Sequence, residues 1–290
     1  MTPTLVVERF DRPADFSAAS IEFLVSREAE NNLLLGITSD LVGGGSFGAE
    51  PPYLVLARRN GAVIAAAMRT PPFGVTISAT EDAEAVELIA KDLARTYPSI
   101  PGVIAPVAVA DRFAAKWESV TPFRRKVRAN ERIHRCSEVT RARSPRGGMR
   151  PYRDSDRELT LQWNKLFISE SKLPHPGGDA ELHRAIDRRL GSRDGGYFYW
   201  EVDGEIVSMT GVGGRTPHGV RIGPVYTPPS FRGKGYATAL VADVTQMMLD
   251  RGMDFCFLFT DLANRTSNSI YAQIGYFPVI DCTMYDFERI

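Results

Sequence analysis

The densest chemistry in the sequence lies in Tyr226-Thr-Pro-Pro-Ser-Phe-Arg-Gly-Lys-Gly-Tyr-Ala237. A strand-like run, His218 to Tyr226, leads into this segment, and a helix-like run, Ala237 to Arg251, leaves it. At such a junction successive backbone N–H groups and the helix dipole can hold an anion. Gly233 and Gly235 lack Cβ, so the backbone can curl around phosphate oxygens, while Arg232 and Lys234 add positive charge. The spacing is not G-x-x-x-x-G-K-[ST], which argues against a nucleoside-triphosphatase loop. A second cluster follows in Asn264-Arg-Thr-Ser267-Asn-Ser-Ile-Tyr271-Ala-Gln-Ile-Gly275-Tyr276, with an amide, a hydroxyl and a phenol on a short helix that stops at Gly275.

Together these segments carry a resemblance. Arg232 to Ala237 resembles the Q/R-x-x-G-x-G/A pyrophosphate loop of the GNAT N-acetyltransferase superfamily. Asn264 to Tyr276 resembles that superfamily's second cofactor motif, N-x-x-[AS]-x-x-x-Y-x-x-x-G-[FY], and the stretch between them fits one helix and one buried strand. The resemblance implies an α/β (α+β) fold, a mixed and mostly antiparallel sheet flanked by helices, with acetyl-CoA as cosubstrate and no metal. It implies that backbone groups of Val225 and Thr227, flanking Tyr226, pair with the pantetheine amides. Gly233, Lys234, Gly235, Tyr236 and Ala237 would then present N–H groups to the pyrophosphate, with Thr238 a hydroxyl donor and Arg232 a nearby charge. Asn264 and Ser267 would hold the arm near the thioester.

By the same resemblance Tyr271 is the general acid. A phenol of ordinary pKa ~10 can protonate a thiolate whose own pKa is ~8.5 when the site is dry. The oxyanion falls to a backbone N–H on the splayed strand, Val225 first. An alkylammonium acceptor must lose a proton before it attacks, and Glu170, His175 and Asp261 are the candidate bases, with water relayed by backbone carbonyls as their competitor. Glu170 leads, because the end of this domain's first helix lines the acceptor side of GNAT clefts. The implied reaction is direct acetyl transfer in a ternary complex to a primary amine of a small molecule. A non-catalytic CoA-binding sensor or scaffold is the competing class.

The elements that must position these residues are legible from periodicity. Glu158 to Glu170 and Ala180 to Leu190 read as helices, and Met149 to Arg153 as a short strand. Tyr197 to Val202 and Glu205 to Val212 flank Asp203-Gly204, a favoured hairpin turn. Leu240, Val244, Met247 and Met248 mark one face of the helix ending before Gly252, and Phe255 to Phe259 reads as a strand buried on both faces. Phe277 to Ile280 and Thr283 to Phe287 read as two final strands, and Pro176 to Asp179 as a lip over the acceptor.

The first half repeats the order. Tyr53 to Ala57 and Ala62 to Met68 flank Asn60-Gly61, then Gly74 to Ser78, Ala83 to Tyr97, Gly102 to Val107 and Ala110 to Trp117 alternate strand and helix, and Phe123 to Cys136 makes a final pair of strands. Where the anion loop should stand it has Ala79-Thr-Glu-Asp-Ala-Glu-Ala85, whose three carboxylates repel a pyrophosphate; Thr80 reads as the helix cap. The chain therefore reads as a tandem: residues 1–139 a degenerate, structural or acceptor-binding copy, 140–147 a linker (Thr140 to Gly148 is rich in Arg, Ser, Pro and Gly and lacks apolar periodicity), and 148–290 the catalytic copy.

Composition narrows the setting. The 35 basic and 35 acidic side chains cancel, so no global field draws the chain to nucleic acid. No apolar run approaches the ~20 residues of a membrane helix, and the N-terminus lacks the n- and h-regions of a secretory signal. Three cysteines without C-x-x-C spacing suggest neither a disulfide framework nor a zinc site, so a cytoplasmic setting is expected. Oligomeric state is not legible.

Overall fold

The computed structural model describes residues 4–140, 145–171 and 176–290. The chain divides into two compact units, Met1–Arg132 with Ile280–Ile290, and Ile133–Val279. None of the helices among the described residues is long and apolar enough to cross a membrane.

In the first unit the chain runs β1 (Leu5–Phe10), α1 (Pro13–Val25), α2 (Asn32–Val42), β2 (Tyr53–Arg59), β3 (Ala62–Arg69), β4 (Val75–Ile77), α3 (Ala83–Thr96), β5 (Gly102–Pro106), α4 (Val107–Val120) and β6 (Phe123–Cys136). The elements β1, α1 and α2 precede the first one expected at Tyr53. Strands lie in the order β1-β2-β3-β4-β5, all antiparallel except β4 beside β5. Period-2 alternation sends Tyr53, Val55 and Ala57 to the α3/α4 face, while Leu54 and Leu56 pack with Phe16, Leu24 and Leu34 of α1 and α2. Both faces are covered, so β2 reads as a continuous apolar run.

The second unit continues with β7 (Gly148–Pro151), α5 (Arg157–Ser171), α6 (Gly178–Gly191), β8 (Gly196–Val202), β9 (Glu205–Gly213), β10 (Gly219–Tyr226), α7 (Tyr236–Asp250), β11 (Phe255–Asp261), α8 (Arg265–Ile274) and β12 (Phe277–Arg289). The order is β11-β10-β9-β8-β7, again with one parallel pair, β10 beside β11. Leu240, Val244 and Met248 of α7 pack with Val207, Val220 and Ile222 on one face of the sheet. Trp163 of α5 and Ile186 of α6 pack with Tyr197, Tyr199 and Tyr226 on the other.

The division differs from the expected cut at 140–147. Phe123–Cys136 and Phe277–Arg289 are each one long strand rather than two short ones. The end of β12 pairs with β5 in the first unit, from Cys282↔Pro106 to Asp286↔Gly102. Complementary charges hold it there: Lys126 meets Glu288 at 2.9 Å and Arg128 pairs with Asp286. The segment from Ile133 onward belongs to the second unit, where β6 neighbours β11. Local periodicity is blind to such an exchange, because a strand's pattern does not say which sheet receives it.

Candidate active site

The site is built around a fork in the second unit's sheet. Strand β10 pairs with β11 only through Gly219↔Phe255, Val220↔Cys256 and Arg221↔Phe257. It stays paired with β9 as far as Tyr226↔Met209. From Ile222 onward its other edge has no strand partner among the described residues, and an extended ligand can hydrogen-bond there like an added strand. A bulge sits at the parting point, where Ile222 to Val225 spans the same stretch of β9 as Val212 to Thr210. Gly223 is at φ +135°, a conformation that a side chain would strain, and Pro224 offers the ladder no donor.

Beyond the fork the chain turns through Pro229–Phe231 into α7. Gly233 and Gly235 lie at φ +76° and +80° with open space where a Cβ would stand. Glycine is required there by backbone conformation rather than by crowding. Gly235 is the N-cap of α7 and has no side chain to satisfy the first-turn N–H groups. Those donors and the dipole of a 15-residue helix face outward beside the exposed Arg232, Gly233 and Lys234. Tyr236, Ala237 and Thr238 are half-buried in the first turn. The arrangement fits a pyrophosphate on this loop and an extended arm along the fork.

Arg232 is placed differently from expectation. Its Nε donates to the Thr227 carbonyl at 2.8 Å, and its guanidinium pairs with Glu170 at 2.6 Å. The Thr227 carbonyl is thus engaged within the chain, while its hydroxyl meets the Ser208 hydroxyl at 2.8 Å. Glu170 also accepts from the Tyr226 hydroxyl at 3.3 Å, and the Tyr226 ring packs 5.7 Å from Trp163. Burial first, then the Glu170 carboxylate, raises the Tyr226 pKa. Glu170 is consequently not a lone carboxylate.

Helix α8 brings the second cluster. The Asn264 carboxamide oxygen accepts from the Ser267 N–H at 3.1 Å, so this side chain caps α8 and leaves only its amide nitrogen for a ligand. Asn268, which carries no expected role, ties the helix to the end of β11. It accepts from the Thr260 hydroxyl at 2.6 Å and donates to the Asp261 carbonyl at 3.2 Å. Tyr271 is 8% exposed, its ring 6.0 Å from Tyr276, and burial pushes its pKa up to about 12. No hydrogen bond to its hydroxyl is made among the described residues. It is an available proton donor, firmly protonated at neutral pH.

The other expected bases fare differently. His175 lies outside the described residues. Asp261 spends a carboxylate oxygen on the Ala263 N–H at 2.8 Å, as a turn cap. The expected lip is short, since Gly178 already begins α6 and Asp179 pairs with Lys165 at 2.7 Å. Isolated glycines inside β9 and β10 (Gly211, Gly213, Gly223) are a signal of close approach that reading the hairpin alone passes over.

Comparison with known proteins agrees with this geometry. Residues 160–276 match the Acetyltransferase (GNAT) family. No curated protein matches the sequence. Among solved structures, 98% of the chain aligns with 95% of a GCN5-related N-acetyltransferase from Sphaerobacter thermophilus, at 15% identity and a TM-score of 0.62. A Drosophila protein aligns over 98% of this chain and 99% of its own, at 11% identity and a TM-score of 0.68. A tandem GNAT protein from the clavulanic acid biosynthesis pathway aligns over 99% of this chain and 98% of its own, at 14% identity and a TM-score of 0.57. At these identities the structures show a shared fold. The family match thus marks a GNAT acetyltransferase domain at residues 160–276, within the second unit, and over its whole length the chain shares its fold with a tandem GNAT protein.

Proposed function

We propose that the protein transfers acetyl from acetyl-CoA to a primary amine of a small molecule, by direct attack in a ternary complex. The observation that carries this reading is the conjunction of the β10–β11 fork with the uncapped, glycine-led N-terminus of α7. The thioester supplies an activated acyl group, and the chain's own residues do the rest. The N–H groups of Gly233 to Ala237 hold the pyrophosphate, joined by the Thr238 hydroxyl and the Lys234 charge. The free edge of β10 from Val225 orients the arm, and the Val225 N–H holds the oxygen that gains charge. The amide nitrogen of Asn264 steadies the arm beside Ser267.

Tyr271 delivers the proton that the leaving thiolate takes up. Its hydroxyl is buried, unengaged by described residues and protonated at neutral pH, which suits an acid that must not ionise early. Glu170, at the end of α5, takes the proton from the acceptor ammonium once Arg232 turns from it to the pyrophosphate. The test is a panel of primary amines with acetyl-CoA and the full-length chain, reading free thiol. Turnover by wild type with roughly 10²-fold loss of kcat in Glu170→Gln at neutral pH supports the assignment. Turnover unchanged in Glu170→Gln would move the base to solvent, and acetyl-CoA binding without any turnover would favour the sensor reading.

A further inference from the structure

The α5/α6 face of the fork has a floor without side chains. A Cβ at Gly211 would stand 2.9 Å from the Gly223 carbonyl and 3.0 Å from Arg189 Nε, and one at Gly213 would stand 3.3 Å from the same nitrogen. The side chain of Arg189 therefore lies across bare backbone of β9, beside the bulge where β10 parts from β11. Its terminal nitrogen donates to the Tyr197 hydroxyl at 2.8 Å, and the guanidinium carbon lies 5.2 Å from that ring's centre. The Tyr197 hydroxyl in turn donates to Asn164 of α5 at 3.3 Å. The guanidinium is thus held at a defined place by Tyr197, which Asn164 fixes in turn.

What it lacks is a counter-ion. Arg189 makes no ion pair among the described residues, and its buried Nε has no hydrogen-bond partner. Residues 1–3, 141–144 and 172–175 contain no Asp or Glu that could supply one. The carboxylates around α6 are all taken: Asp179 by Lys165, Glu181 by Arg184 and Arg188, and Asp187 by Arg157. Asp194, just past the helix, is paired with Arg215. A positioned, unpaired and partly desolvated guanidinium is a receptor for a planar or tetrahedral oxyanion.

We infer that Arg189 binds an anionic group of the acceptor, so that the amine substrate carries a carboxylate or phosphate a few bonds from its nitrogen. This rests on the transferase reading for its location, because the acyl carbon must lie in the fork where the strands part. The anion on Arg189 and the floor of Gly211 and Gly213 would set the reach of the amine toward that carbon. Arg189 is here a specificity and positioning residue; the chemistry stays with the groups at the fork.

The test titrates the full-length protein, saturated with CoA, with matched probes in a calorimeter. One series sets ω-amino acids of two to six carbons against their amides, and a second sets O-phosphoethanolamine against ethanolamine. The expected result is that an anionic member binds about 10- to 100-fold more tightly than its neutral partner, the range of a hydrogen-bonded charge. The two series separate carboxylate from phosphate. Arg189→Met should bring that ratio close to one while CoA affinity holds, and Arg189→Lys should keep part of it. A purely structural arginine would change both members of a pair alike. Equal affinities within every pair, absence of binding by every anionic member, or a ratio untouched in both variants would overturn the inference. Anion binding without thiol release from acetyl-CoA would instead count against the transferase reading and leave the anion site standing.

Discussion

Two strand-to-helix junctions, β4 into α3 and β10 into α7, occupy the same place in the chain order of their units and have opposite chemistry. At α7 the N-cap is Gly235, which leaves the first-turn donors unclaimed. At α3 the N-cap is Asp82, whose carboxylate accepts from the Ala85 N–H at 3.0 Å. Thr80, which the sequence offers for that role, has a hydroxyl that instead donates to the Ile64 carbonyl at 2.6 Å and accepts from the Asp82 N–H. Arg59 meets both Asp82 and Glu84 at 2.8 Å, and Arg27 meets Glu81 at 2.8 Å. The first junction has answered its own dipole with fixed negative charge, and the second leaves its dipole unanswered by any side-chain cap. The same place in the chain order thus carries either a capped, acidic helix start or an open, glycine-led one, and one or two side chains decide which.

Breaking the contrast should have its largest effect where the donors are open. Gly235→Glu places a side chain at φ +80° and a negative charge among the donors. Acetyl-CoA affinity should fall ~100-fold or more, measured by calorimetry on the full-length chain. Retained affinity would mean that the loop does not hold the pyrophosphate.

A large effect confined to chemistry is expected at α8. Tyr271→Phe should lower kcat by roughly 10²-fold with CoA affinity nearly unchanged. Because burial raises this phenol to about 12, it keeps its proton across the whole neutral and mildly alkaline range. Wild-type kcat should therefore show no decline from ionisation of this group as pH rises from 7 to about 10. Lost affinity with unchanged kcat would make Tyr271 a packing residue.

The smallest effect belongs to the closed junction. Asp82→Ala removes the cap of α3 and a partner of Arg59, which should cost about 1 kcal/mol of stability in chemical denaturation. CoA affinity should not move. A change in affinity there would show that the first junction takes part in cofactor binding after all.

Most of this contrast could be read from residue types. Gly233 and Gly235 announced a loop that needs positive φ, and the carboxylates of Ala79 to Ala85 announced one that repels anions, because both are local consequences of side-chain chemistry. The fork was implied by resemblance alone: nothing in the apolar run of β11 says that its pairing with β10 ends at Phe257. The exchange of the final strands was invisible, since Lys126 and Glu288 are neighbours only after the sheet forms. Side-chain partnerships were the least legible layer. Arg232 reads as a charge beside the phosphates from its motif, yet its guanidinium is held by Glu170 and the Thr227 carbonyl. Asn268 and Arg189 carry no motif, and only packed neighbours reveal the one as a tether of α8 and the other as a cation without a counter-ion.

The two junctions differ in one respect: the helix start in the second unit leaves its donors open, and the one in the first is closed by the Asp82 carboxylate. Calorimetric titration of the intact chain with acetyl-CoA measures that asymmetry without reference to any acceptor. A stoichiometry of one per chain, abolished by Gly235→Glu and untouched by Asp82→Ala, is the result predicted. Two sites per chain, or one that survives Gly235→Glu, would contradict it.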